Sequence, residues 1–248
     1  RIPFGRTGLD AVAHYYNRSI DWHGGIDVVL TAKRLSHYQR YGIVEDVERG
    51  FLADIQPVPW QTDTCIGSWH YDRPLYQRRG YKSAKEVVQR LCDVVSKNGC
   101  LLLSIPQRGD GSIDELEEAI LDDLASWFAA NGNAIYGTRP WRVFGEGPTK
   151  PPVGMQNEGE AKPFTAEDVR FTVGRDVLNA FFLDWPEGES AIASLGRNAL
   201  PDAMIERIEM NGRPVPFRRD ADALRLSLPR PEGGAFVPGI RIYGRGLI

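Results

Sequence analysis

The apolar periodicity of the chain changes character near residue 145, and this restricts the fold more than any other feature. Before that point apolar runs alternate with helical stripes. Ser83-Ala-Lys-Glu86 is a capping box, in which the Ser hydroxyl accepts from a free backbone N–H and Glu86 bonds back. Val87, Val88, Leu91, Val94 and Val95 then share one helical face. Asn98-Gly99 supplies a left-handed stop, and Cys100-Leu-Leu-Leu-Ser-Ile-Pro106 reads as a buried strand. A second capping box, Ser112-Ile-Asp-Glu115, predicts a helix with Leu116, Ile120, Leu121, Leu124, Trp127 and Phe128 as its stripe, ending at Asn131-Gly132. Upstream, the run 26–33 predicts a buried parallel strand ending at Lys33, and the prolines of Ile55-Gln-Pro-Val-Pro-Trp-Gln-Thr-Asp63 allow only a short or edge strand. Strands alternating with amphipathic helices indicate α/β architecture.

After a Pro/Gly-rich connector from Gly145 to Gly154, short strands separated by turn residues are expected at 169–173, 177–185, 190–195, 203–210, 223–228 and 236–243. Asn211-Gly212 is a hairpin turn signal. The expected organisation is an α/β unit over 1–145, a linker over 146–163 and a β-sandwich over 164–248.

Composition removes several function classes. Thirty Lys plus Arg against 33 Asp plus Glu leave a net charge of −3, without the basic excess that a phosphate backbone demands. No nucleic-acid partner is expected. No apolar run approaches the roughly 20 residues of a membrane-spanning helix, so no membrane partner is expected either. Cys65, Cys92 and Cys100 form no CxxC pair and have no His at zinc-ligand spacing, so neither a structural metal nor a disulfide framework is indicated. Cys92 and Cys100 lie in apolar stretches and read as core filler. The start Arg1-Ile-Pro-Phe-Gly-Arg6 has neither an apolar leader segment nor an initiator Met and reads as an internal start, from which localisation is not legible.

The segment from Pro57 to Arg73 crowds Trp60, Trp69 and Tyr71 together with Asp63, Asp72, Arg73 and His70, a mixture unlike a core strand. Aromatic surface beside paired donors and acceptors suits a sugar, which has apolar C–H faces and a ring of hydroxyls. An aromatic-rich loop covering a barrel end accounts for the same residues.

Four stretches carry a resemblance: Trp60-Gln-Thr-Asp-Thr-Cys-Ile-Gly-Ser-Trp-His-Tyr-Asp72, Asp93-Val-Val-Ser-Lys-Asn-Gly-Cys-Leu-Leu-Leu-Ser-Ile-Pro106, Arg108-Gly-Asp-Gly111 and Asn133-Ala-Ile-Tyr-Gly-Thr-Arg-Pro-Trp141. In this order they resemble the alpha-L-fucosidases of glycoside hydrolase family 29. The similarity runs from about residue 26 to 149 and continues more weakly through Leu178 to Pro186. It implies an irregular (β/α)8-like TIM barrel followed by a C-terminal β-sandwich. A whole barrel needs about 250 residues, so a partial barrel, its latter portion, is expected here.

The resemblance further implies a retaining exo-glycosidase that releases terminal L-fucose by double displacement, with a fucosylated glycan as substrate and without metal or cofactor. Such enzymes use two carboxyl groups about 5 to 5.5 Å apart. The family's nucleophile is an Asp followed by Gly at a barrel-strand end. The Asp110-Gly111 pair here lies in a helix-entry loop and matches a different motif, so the nucleophile is expected upstream of Arg1. For the acid/base the resemblance favours Glu48, because many relatives carry Glu where this chain has Gln61 and an amide cannot act as the acid; Glu45 and Asp63 stand in reserve. Lys33 matches a position near which relatives hold a sugar-contacting cation. Trp69 is expected to pack on the apolar side of fucose, Trp60 to support the strand end, and His70 to be a loop histidine. The family's locations are periplasmic, extracellular or lysosomal. A non-catalytic carbohydrate-binding or remnant module is the competing reading. Unpaired strand edges and uncovered apolar faces predict that the isolated chain is unstable or associates into a homo-oligomer.

Overall fold

A computed structural model describes residues 5–230 and 235–248, so the first four residues of the Arg1–Arg6 start and residues 231–234 of the expected sandwich lie outside it. The α/β unit contains helix α1 (Gly5–His23), strands β1 (Thr31–Ala32), β2 (Val44–Asp46) and β3 (Trp60–Cys65), helices α2 (Arg73–Gln77) and α3 (Ala84–Val95), strand β4 (Gly99–Ser104) and helix α4 (Glu115–Asn131). The four strands form one parallel sheet in sequential order, β1-β2-β3-β4.

Helix α3 begins with the expected capping box: Ser83 Oγ accepts from Glu86 N–H and the Glu86 carboxylate accepts from Ser83 N–H. It packs on the face of β3 that carries Trp60 and Thr62, where Trp60 meets Val94 and donates from Nε1 to Lys97 O at 3.0 Å. Strand alternation therefore turns Gln61 and Asp63 to the opposite face.

Four expectations need correction. The run 26–33 supplies only the two-residue β1, and Ile26 and Val29 are largely exposed. Side chains of α1 satisfy much of its backbone instead: Ser19 Oγ donates to Gly25 O and accepts from Asp27 N–H, and Tyr15 donates to Val29 O. Strand β3 is not an edge, because Pro57 and Pro59 precede the strand and leave its N–H groups free to pair on both sides. Its Thr62, Asp63, Thr64 and Cys65 are buried, so the first part of the aromatic-rich segment is a core strand, while Trp69, His70, Tyr71, Asp72 and Arg73 lie beyond it. Helix α4 is capped by Asp114, which accepts from Leu116 and Glu117 N–H, while Ser112 is bonded to Asp110. Finally, Cys100 is exposed, whereas Cys65 and Cys92 are buried.

The β unit is built from β5 (Arg139–Glu146), β6 (Val169–Val173), β7 (Leu178–Phe182), β8 (Glu189–Ile192), β9 (Met204–Met210), β10 (Arg213–Pro214), β11 (Phe217–Arg219), β12 (Leu224–Ser227) and β13 (Gly239–Arg245). A six-stranded sheet, β10-β9-β13-β7-β6-β5, faces a three-stranded sheet, β11-β12-β8. Phe171, Leu178 and Ile240 from the first meet Ile192, Leu224 and Leu226 from the second in one core. Asn211 and Gly212 both have positive φ in the β9–β10 hairpin, as a two-residue turn of this kind requires. Strand β5 pairs with β6, so strands of this sheet reach back to Arg139.

The other face of the six-stranded sheet is buried as well. Phe181 and Leu183 join Val88, Cys92, Leu124 and Trp127 of α3 and α4 in a second core. Beside that core Arg170 Nε of β6 donates to Asp93 of α3 at 2.7 Å, and Lys97 Nζ donates to both Asp93 oxygens at 2.9 Å. The charged ends are only 2% exposed. The two units are thus packed through a mixed apolar and ionic layer.

Candidate active site

At the carboxyl ends of β1, β2 and β3, three acids surround one ammonium. Lys33 Nζ, just past β1, lies 2.7 Å from Asp46 Oδ2, 2.9 Å from Asp63 Oδ2 and 3.4 Å from Glu48 Oε2. Parallel register explains the grouping. Ala32 is paired with Glu45 and Asp46 with Gln61, so Lys33 is level with Asp46, and Asp63 stands two residues further along its strand. Asp46 and Glu48 are two apart and share the Lys33 side. Glu45 points to the other face and pairs with Arg40 at 2.5 Å, so the structure does not bring this reserve acid to the cluster.

Electrostatics differentiates the acids. Burial disfavours the Lys33 cation, but the hydrogen bonds it donates to Asp46 and Asp63 and their negative charges outweigh it and hold the ammonium well above its ordinary pKa. Burial pushes Asp46 above the usual carboxylate range; Lys33 opposes this and the neighbouring Asp63 charge reinforces it. Burial also works on Asp63, yet Lys33 and the Arg49 backbone N–H, which donates to Oδ1 at 2.9 Å, bring it below that range. The same neighbourhood thus pushes two adjacent carboxyls in opposite directions. Glu48 has the most accessible carboxyl of the three, 26% exposed against 9% and 11%. Glu48 is therefore the acid of the three most open to solvent.

Lys33 and Glu48 are thus neighbours. Trp69 lies on the segment that follows β3, at the same end of the sheet, and is partly exposed. Trp60 is core at 3% exposure, as expected of a strand-end support. His70 is exposed, Asp72 caps α2 by accepting from Leu75 N–H, and Asp110 accepts from Ser112, all consistent with structural places. Among the described residues no group of three or more His, Cys, Asp or Glu is arranged to hold a metal ion.

A further acid went unnoticed in the sequence. Glu158, in the connector after β5, is nearly buried behind β3; it accepts from Thr64 Oγ1 at 2.6 Å and Arg49 Nε at 3.0 Å. Arg90 and Lys82 approach it at 3.6 and 3.7 Å. Burial raises its pKa, but Thr64 and these cations more than compensate and keep it ionised below its ordinary value. Its sequence context, Asn157-Glu-Gly-Glu160, gives no local signal, because its partners are supplied by β3, α3 and the turn after β2.

The family model for alpha-L-fucosidase matches residues 10–133, half of the chain. The chain belongs to the alpha-L-fucosidase family. Among its relatives, an alpha-L-fucosidase of Branchiostoma floridae is 31% identical over 181 residues, covering 70% of this chain and 36% of that protein. The tissue alpha-L-fucosidase of Macaca fascicularis is 31% identical over 175 residues, 69% of this chain and 33% of the relative. A solved alpha-L-fucosidase superposes on 98% of this chain and 50% of its own with a TM-score of 0.71 at 22% identity. The Thermotoga maritima alpha-fucosidase in complex with fucose superposes with a TM-score of 0.67 at 22% identity, covering 96% of this chain and 49% of its own. The chain therefore spans about a third of the length of these curated fucosidases and about half of these solved ones.

Proposed function

We propose that this chain carries the acid/base side of a retaining, exo-acting alpha-L-fucosidase site, built on the latter part of a (β/α)8-like barrel and followed by a β-sandwich domain. The observation that carries the reading is the Lys33 cluster at the carboxyl ends of parallel strands, where barrel enzymes place their chemistry. Family membership supplies the reaction class, and the sequential parallel order β1-β2-β3-β4 is what a barrel segment presents.

In this reading Glu48 protonates the glycosidic oxygen as the aglycone leaves and the fucosyl group passes to the nucleophile, and then deprotonates the water that resolves the glycosyl-enzyme. Lys33, with two N–H groups committed to Asp46 and Asp63, turns its third towards Glu48 or a sugar hydroxyl, and Trp69 offers a stacking face. Asp63 is the reserve acid, but its tie to Lys33 and the Arg49 N–H favours a supporting place. The nucleophile is assigned outside these 248 residues, within the greater length of the relatives. The natural substrate is a fucosylated glycan, in keeping with the fucose complex of the Thermotoga maritima relative.

The test uses the full-length enzyme. Glu48→Gln should slow hydrolysis of natural fucosides by about 10²-fold or more, and azide should restore turnover of an activated aryl fucoside. Near-normal rates in Glu48→Gln with loss in Asp63→Asn would reassign the acid.

A further inference from the structure

The turn bearing Glu48 is held from behind by the connector between the two units. Gln156 N–H donates to Glu48 O at 2.7 Å and Glu158 N–H to Arg49 O at 3.0 Å, while Phe51 and Gly154 exchange backbone bonds of 3.1 and 2.9 Å. The fit is close: a Cβ on Gly50 would stand 2.1 Å from Gly154 O. Arg49 and Gln156 both adopt positive φ, at 43° and 59°, conformations that non-glycine residues hold only when their surroundings enforce them. Arg49 links the two sides of β3. Its backbone N–H reaches Asp63 in the Lys33 cluster, and its guanidinium reaches Glu158 on the α3 side.

We propose that Glu158 is a positioning residue for Glu48, acting through Arg49 and the connector backbone so that the β-sandwich side of the chain sets the orientation and charge environment of the acid/base. The proposal rests on the reading of Glu48 as that acid. Groups facing Glu48 come from every neighbouring element: Lys33 after β1, Asp46 on β2, Asp63 on β3 and Arg49 next to it in the turn. Glu158 does not touch Glu48. It neutralises Arg49, Arg90 and Lys82 and fixes where the Arg49 charge stands.

Removing its charge leaves the three cations under-compensated and frees Arg49, which favours ionised Glu48. In the full-length enzyme carrying ¹³C-labelled Glu side chains, with Glu48 assigned by comparison with Glu48→Gln, NMR should show the Glu48 titration midpoint moving down by roughly 0.5 pH unit or more in Glu158→Gln, a fraction of the shifts that charged neighbours produce. Arg49→Gln should move it up, and Glu158→Asp, which keeps the charge, should restore much of the original value. A merely structural Glu158 would lower the melting temperature and leave the midpoint in place. An unmoved midpoint in a cooperatively folded Glu158→Gln overturns the proposal. If that variant does not fold, an unmoved midpoint in Arg49→Gln does so instead. Normal turnover of full-length Glu48→Gln overturns the acid reading itself, so the two failures are told apart.

Discussion

Glu117 sits in the first turn of α4, fully buried, and neither of its carboxylate oxygens has a hydrogen-bond partner among the described residues. Burial, reinforced by nearby Asp114, raises its pKa in the folded chain. A carboxyl with a raised folded pKa contributes its full stability below its unfolded pKa and loses it as pH rises through the folded value. Thermal melts should therefore show Glu117→Gln more stable than the parent at pH 7 to 8, by about 1 kcal/mol, with the advantage shrinking towards pH 4. Lys33 behaves in the opposite sense. Lys33→Met leaves Asp46 and Asp63 facing each other without their cation, and urea titration at pH 7 should show a loss of about 1 to 2 kcal/mol, reduced from a buried pair because the lysine is 40% exposed. At this scale the sequence marked the positions of Lys33 and Glu48, through a family resemblance and a strand end, and the structure brings the two side chains together. Asp46 was legible in principle, since its two-residue spacing from Glu48 puts both on one side of a strand, but it lay within a run that resembled a solvated charged loop. Glu158 was not legible, because its partners come from separate elements.

The helix α3 joins the units, and its Asp93 carries the join. Asp93→Asn would leave Lys97 and Arg170, both 2% exposed, without their counter-charge. Burial already depresses Lys97 despite the opposing pull of Asp93. Denaturant unfolding should show a loss of about 3 kcal/mol or more, and a variant within 1 kcal/mol of the parent would show that water or the rings of Phe144 and Phe164 take up the charges. Elements with caps and periodicity were readable: α3 with its Ser83 box, the stripe of α4, and most sandwich strands. The failures have physical causes. Helix α1 leaves Leu9, Ile20 and Trp22 exposed, so its amphipathic pattern is weak, and residues 26–30 look like a strand but bond to α1. Strand β2 is short and charged because one of its sides serves the Lys33 cluster.

As a whole, the parallel sheet has free outer edges at β1 and β4 among the described residues, and Leu102, Trp22, Ile26 and Val29 are exposed. Unpaired edges and apolar faces promote association. Light scattering on the purified 248-residue chain should therefore find oligomers or aggregates; a monodisperse, cooperatively melting monomer contradicts this. With Glu48 as its one proposed catalytic carboxyl, the same chain should give no useful turnover of an aryl alpha-L-fucoside, since a retaining pair works as a unit. Turnover abolished by changing an Asp within the chain would show that the nucleophile lies here. The change from helix-bearing to all-strand periodicity was legible, whereas the ion pair between α3 and β6 was not. The connector also bears on how such proteins can be recombined. A splice placed in the Pro/Gly-rich stretch at 147–153, the obvious seam for exchanging one sandwich for another, would separate Glu158 and Gln156 from the turn they brace. Chimeras and gene fusions that preserve both units should inherit the Lys33 site intact only when the crossover falls beyond residue 160, so the hereditary boundary of that site lies inside the segment that looks like mere spacer.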